Sequence, residues 1–157
     1  MNQHSQESAS QENGHDRGSR FWTTTHTTAH CLLGCTIGEV LGLSIGVTLG
    51  IGLWFTLSLA VALAFVFGMG LAVLPLIRGH GMSFKRALAT IWLGEAVSIA
   101  VMEIAMNVVD FALGGMGAMS VAEPVFWYSL LAAIPAGYIA AWPVNWWLIG
   151  KNLKHCH

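Results

Sequence analysis

Charge is what this sequence has least of. Of 157 residues only 7 are Lys or Arg and 8 are Asp or Glu, so 10% are charged. Soluble domains carry about 25%. The net charge of −1 gives no overall attraction to nucleic acid or to anionic lipid. Cysteine is nearly as rare, and an odd count of 3 makes no secreted disulfide framework. The phosphate-cradling GxxxxGK[ST] loop, a GxGxxG opening a soluble unit, HExxH and GxSxG are all missing, and no Ser, His and acid are spaced as a nucleophilic triad. No motif therefore supports an enzyme, and neither nucleotide nor flavin is indicated. A bis-histidine haem needs histidines inside opposing helices, whereas these cluster outside them, so haem is not expected either. No signal peptide is expected, because the apolar run starts only near Cys31 and has no small-residue cleavage site.

What is abundant is apolar surface. Hydrophobic residues make up 55% of the chain, and the mean hydropathy is +0.62 despite a polar opening, MNQHSQESASQENGHDRGSR. That opening has no aromatic or β-branched residue and is expected to be a disordered head over 1–24. A hydrocarbon layer about 30 Å thick takes roughly 20 apolar helical residues to cross. Leu32–Leu76 is more than twice that length with Glu39 as its single formal charge, which predicts a helical hairpin turning near Gly50 to Trp54. Arg78 to Arg86 is a polar loop, and Ser83 is a suitable N-cap for a third helix. Gly114, Gly115 and Gly117 end that helix, and Glu123-Pro124 opens a fourth. The expectation is an all-α polytopic membrane protein over 25–157, with helices at about 30–50, 54–77, 84–113 and 124–150 in a compact four-helix bundle.

All seven basic residues, Arg17, Arg20, Arg78, Lys85, Arg86, Lys151 and Lys154, then fall on one side. The positive-inside rule makes that side cytoplasmic, with both termini inside and the protein multi-pass in the inner (plasma) membrane. Trp54, Trp127 and Tyr128 suit the outer interface; Trp22, Trp146 and Trp147 suit the inner one.

The first helix carries two series of period four. Gly34, Gly38, Gly42, Gly46 and Gly50 form an extended small-xxx-small stripe for close helix packing, within the bundle or between subunits. Cys31, Cys35 and Glu39 lie about 60° from that stripe, beside the close contact. With His26 and His30 before them, these thiols suit Cu(I) or Zn(II), although buried cysteines also serve as small apolar residues. The tail His155-Cys156-His157 offers further ligands that could converge on the same inner mouth, or could be solvated.

The third helix carries Glu95, Glu103 and Asp110 within an arc of about 80°, with Met102 and Met106 in or beside it. Ionisable residues at membrane depth are costly and mark partners, cavities or ion and proton routes. Glu39 is expected at about the depth of Glu95. A purely structural role, with neutral acids bonded to Ser98, Asn107 or backbone carbonyls, remains the bland alternative. In the fourth helix Pro135 and Pro143 can kink the chain and free carbonyls, Ala132, Ala133, Gly137, Ala140 and Ala141 make a small-residue face, and Asn145 can bond across helices.

The string His30-Cys31-Leu32-Leu33-Gly34-Cys35-Thr36-Ile37-Gly38-Glu39, with Met102-Glu103, Asp110 and Pro143-Val144-Asn145-Trp146-Trp147, resembles the bacterial membrane family catalogued as domain of unknown function 4396. The resemblance covers about 25–157 and implies a compact four-helix membrane domain without an agreed activity.

The functional expectation is a small membrane protein that binds, and carries or senses, a soft metal cation. His30, Cys31, Cys35, Glu39, His155 and Cys156 would be the ligands; Glu95, Met102, Glu103, Met106 and Asp110 would form a membrane relay. The alternatives are a proton or cation pathway using the acids alone, and a non-catalytic scaffold or accessory subunit. The expected partners are the lipid bilayer and a second copy or another membrane subunit, with no nucleic acid.

Overall fold

The computed structural model describes residues 3–81 and 83–151, with side chains from residue 18 onward apart from residue 80. The chain forms four long helices: α1 (Gln3–Leu49), α2 (Leu53–His80), α3 (Phe84–Ala112) and α4 (Pro124–Gly150). A short 3-10 turn, Gly115–Gly117, lies between α3 and α4. Each helix is long and apolar enough to cross a membrane, over Gly18–Leu49, Leu53–Gly79, Phe84–Ala112 and Pro124–Gly150. In α2, α3 and α4 these bounds fall within a few residues of expectation.

The first helix differs. It was expected to start near His30, after a disordered head, yet its described backbone is helical from Gln3. Nucleation is the costly step of helix formation, and a helix already anchored by packing extends outward at little further cost. The segment before His30 also has partners of its own. Thr24 and Thr28 are fully buried, and their hydroxyls donate to the carbonyls one turn back, Arg20 and Thr24, at 2.8 Å each.

The helices neighbour one another around the bundle in chain order, and α1 also touches α3 across the middle. The closest packing is α1 on α2, and glycine makes it possible. A Cβ at Gly34 would lie 2.6 Å from the Gly68 Cα; one at Gly38 would strike the Ala64 backbone, at Gly42 the Ala60 backbone, and at Gly46 the Thr56 side chain. With no hydrophobic drive between helices in lipid, this backbone approach supplies the dispersion contacts that hold the hairpin. The stripe is thus used within one chain. Gly50 departs from it: it is exposed in the turn at φ +61°, where the Ile51 N–H bonds the Gly46 carbonyl at 3.3 Å. Glycine is favoured there because an αL residue closes the helix end.

At the opposite end of α2, Gly81 adopts φ +60° as its C-cap. Ser83 occupies the cap position of α3, but its hydroxyl makes no capping bond; its carbonyl receives the Ala87 N–H at 3.0 Å. Between α3 and α4, the Glu123 carboxylate accepts the Met119 N–H at 3.1 Å, ahead of Pro124 at the start of α4. The outward faces are apolar, with Leu33, Leu41, Val66, Ile104, Val108, Leu131 and Ile139 exposed as a bilayer would have them. Trp22 and Trp147 are exposed at the end carrying the termini, Trp54, Trp127 and Tyr128 at the far end.

Candidate functional site

At the termini end, α1, α2 and α3 enclose a pocket of about 210 Å3 lined by His26, Thr27, His30, Cys31, Ala72, Pro75 and Glu95. His26 and His30 are exposed, whereas Cys31 and Glu95 are buried. Proline at 75 has no N–H to give the carbonyl of Leu71, so a backbone acceptor of α2 is released beside the pocket wall.

Below the pocket, polar groups continue along the bundle. The Cys31 Sγ lies 3.9 Å from the Ser98 Oγ. Cys35, wholly buried one turn on, has both Cys31 and Glu103 as side-chain partners. Asn107 donates to the Glu103 carbonyl at 2.7 Å and, more weakly, to its carboxylate at 3.4 Å. Glu39 of α1 stands within electrostatic reach of Glu103 and Asp110. Asp110 in turn has the Ser129 hydroxyl of α4 as its side-chain partner. From Glu95 to Asp110 this track rises about 22 Å along α3, most of a hydrocarbon layer about 30 Å thick.

Burial along the track is nearly complete: Glu39 is 0% exposed, Glu95 2%, Glu103 3% and Asp110 1%. Yet both Glu39 oxygens, Glu103 Oε1, Asn107 Oδ1 and Asp110 Oδ2 have no hydrogen-bond partner among the described residues. Such atoms are expensive in a dry interior unless a proton, a cation or a donor meets them. No Lys or Arg occurs between residues 21 and 77 or between 87 and 150, so no lysine or arginine of those stretches can serve.

The register between α1 and α3 differs from expectation. Glu95 shares its level with His26 to Cys31, and Glu39 lies farther along, by Glu103 and Asp110. Because α1 is helical well before His30, its residues lie farther along α3 than a helix starting at His30 would place them. Met102 and Met106 are buried on the side of α3 that meets α4: a Cβ at Gly137 would lie 2.5 Å from the Met106 Cγ and 3.1 Å from the Met102 Cγ. They pack in the same core cluster as Cys31 and Cys35. His155 and Cys156 lie outside the described residues.

Among the described residues, no three His, Cys, Asp or Glu side chains converge into a group able to hold a metal ion. The expected ligands His30, Cys31, Cys35 and Glu39 are instead strung along α1 over more than two turns, from an exposed mouth to a buried core.

Over residues 21–154 the sequence matches the family described as Domain of unknown function (DUF4396). The chain belongs to DUF4396. No curated protein and no solved structure matches it. The DUF4396 region begins just after Arg20 and takes in the pocket, both thiols and all four buried acids.

Asn145 of the DUF4396 bundle bonds across helices as expected, donating to the Thr28 Oγ1 at 2.8 Å. Other contacts were not anticipated: the Trp142 indole donates to the Thr25 Oγ1 at 3.4 Å. Arg20 donates to the Trp146 carbonyl at 2.6 Å, and its guanidinium sits 4.6 Å from the Trp146 ring centroid. The signal for the threonines was present: Thr24, Thr28, Cys31, Cys35, Gly38 and Gly42 continue one buried face at heptad-like spacing.

Proposed function

We propose that this DUF4396 protein is a transmembrane proton pathway. Five buried oxygens without hydrogen-bond partners among the described residues, on Glu39, Glu103, Asn107 and Asp110, carry the reading. They follow a pocket with two exposed imidazoles, and Ser98, Cys31 and Cys35 lie between. Hydroxyl, thiol and carboxyl groups each both give and accept a proton, so a succession of them can pass one along. The acids are spaced as stations rather than gathered as a cage, which favours a proton over a chelated metal ion. The wider expectation of a soft-metal carrier using Glu39 and the acids as further ligands is not favoured by that spacing.

The test is flux in proteoliposomes containing a trapped pH dye, with a potassium diffusion potential as the driving force. Wild-type protein should acidify or alkalinise the lumen according to the sign of the potential, and Glu103→Gln should lower the rate at least tenfold. A rate equal to that of protein-free vesicles would overturn the proposal, as would full retention of flux in both Glu39→Gln and Glu103→Gln.

A further inference from the structure

Cys31 and Cys35 lie on α1 between the pocket and Glu103. Cys31 lines the pocket and its Sγ lies 3.9 Å from the Ser98 Oγ; Cys35 has Cys31 and Glu103 as side-chain partners. One helical turn separates them, so their Cβ atoms lie about 5–6 Å apart on one face and their sulfurs can point at a common point. The α2 backbone packs beside Cys35: a Cβ at Gly68 would come within 3.8 Å of the Cys35 Sγ and 3.0 Å of Ile99.

The donor set restricts what ion could lie there. A structural Zn(II) takes four ligands in a tetrahedron. The described residues bring no third His, Cys, Asp or Glu into such a group. A closed-shell monovalent soft ion such as Cu(I) or Ag(I) is satisfied by two thiolates in a line, and thiolate softness selects it. The exposed His26 and His30 at the pocket mouth are borderline ligands, suited to hold an ion briefly before the sulfurs take it.

We infer that Cys31 and Cys35 form a two-coordinate site for a soft monovalent cation, reached through the His26–His30 pocket, and that the bound ion closes the proton route. On binding, two S–H bonds break and two metal–sulfur bonds form. The two protons leave through the pocket to bulk water, and the oxidation state of the metal does not change. With both sulfurs occupied, the link between Cys31 and Glu103 has no exchangeable proton. The binding stands on the thiol geometry alone; the closure rests on the proton-pathway reading.

The experiment uses the full chain with Cys156→Ser, which removes the thiol of the tail. Purified protein is titrated anaerobically with Cu(I) against a chromogenic chelator, and the loaded protein is examined by X-ray absorption at the copper edge. One Cu(I) per chain in a two-sulfur environment is expected, with binding lost in Cys31→Ser, Cys35→Ser. Unmutated thiols provide a second readout: one equivalent of Cu(I) should protect Cys31 from maleimide in the Cys156→Ser protein. Stoichiometry retained in the double variant, a copper site with nitrogen or oxygen ligands alone, or unprotected Cys31 would overturn the site. In proteoliposomes one equivalent of Ag(I) should abolish proton flux. Flux that persists with Ag(I) bound overturns the closure and leaves the pathway standing. No flux under any condition overturns the pathway and with it the closure, while the titration still decides the site.

Discussion

Asn145 of α4 donates its side-chain amide to the Thr28 hydroxyl of α1 at 2.8 Å, joining the first and last spans in the interior of the bundle. Thr28 meanwhile donates to the Thr24 carbonyl, so its one hydroxyl works in both directions. Thr28→Val keeps the shape and removes both bonds. Interhelical hydrogen bonds in membranes are worth about 0.6 kcal/mol on average and up to about 1.7. Unfolding in mixed detergent micelles should show Thr28→Val less stable by about 1 kcal/mol, and Asn145→Ala on top of it should add less than it does alone. Full additivity in that double-mutant cycle would mean the two side chains do not act together.

The glycine seam between α1 and α2 predicts a steep position dependence. At Gly38 a methyl group meets the Ala64 backbone, which cannot swing aside, whereas at Gly70 nothing lies within 4 Å of an added Cβ. Overpacking a tight contact costs about 1–3 kcal/mol. Gly38→Ala should therefore lower stability by that order, and Gly70→Ala should leave it unchanged or raise it slightly by helix propensity. Equal effects at the two positions, measured by the same unfolding assay, would contradict the packing.

Arg20 fastens the start of the α1 span to the end of α4. Its guanidinium donates to the Trp146 carbonyl and covers the Trp146 ring, while Trp146 stacks on Trp142 and Phe21 packs against Trp142. A partly desolvated cation–π contact is worth about 0.5–2 kcal/mol. In Arg20→Ala, hydrogen exchange of the amides near residue 150 should speed up several-fold while those around Gly38 stay slow. Arg20→Lys should recover little, because a lysine cannot bond the carbonyl and cover the ring as one planar group does.

The far end of the track offers a separate check on the acids. Asp110 sits beside Ser129 and Gly115, and a Cβ at Gly115 would meet both of their side chains. Asp110→Asn preserves shape and hydrogen bonding but not a proton-exchanging carboxyl. Proton flux in proteoliposomes should fall at least tenfold in Asp110→Asn, with stability within about 1 kcal/mol of wild type. Glu123→Gln, on the loop that bonds Met119, should leave flux at the wild-type rate. A fall only in Glu123→Gln would place the route elsewhere.

What was readable in advance follows from local physics. The lengths of the apolar runs fixed the number of spans, because lipid leaves a backbone no choice but to satisfy itself as a helix. Glu39, Glu95, Glu103 and Asp110 stood out because an acid within such a run is rare. The seam at Gly34 to Gly46 was visible as a period of four. Its partners on α2, Thr56, Ala60, Ala64 and Gly68, recur at the same period but are of mixed type in a helix apolar all round, so only the tertiary structure singles them out.

The start of α1 was misjudged because Thr23 to Thr28 reads as polar by composition. Each of Thr23, Thr24 and Thr28 in fact satisfies its hydroxyl on a carbonyl one turn back and so tolerates a helix within the bundle. The arrival of the pocket at Glu95, the link from Cys35 to Glu103, and the placing of Glu39 between Glu103 and Asp110 all depend on that register.

By itself, then, the sequence determined an all-helical, four-span chain and the identity of its buried acids, since hydropathy and helical period are properties of single segments. Only the tertiary structure decided that the acids and thiols of α1 and α3 meet in one track, and at which heights. Helices slide past one another without changing their own hydrogen bonds, so their register is set by the side chains that interlock between them.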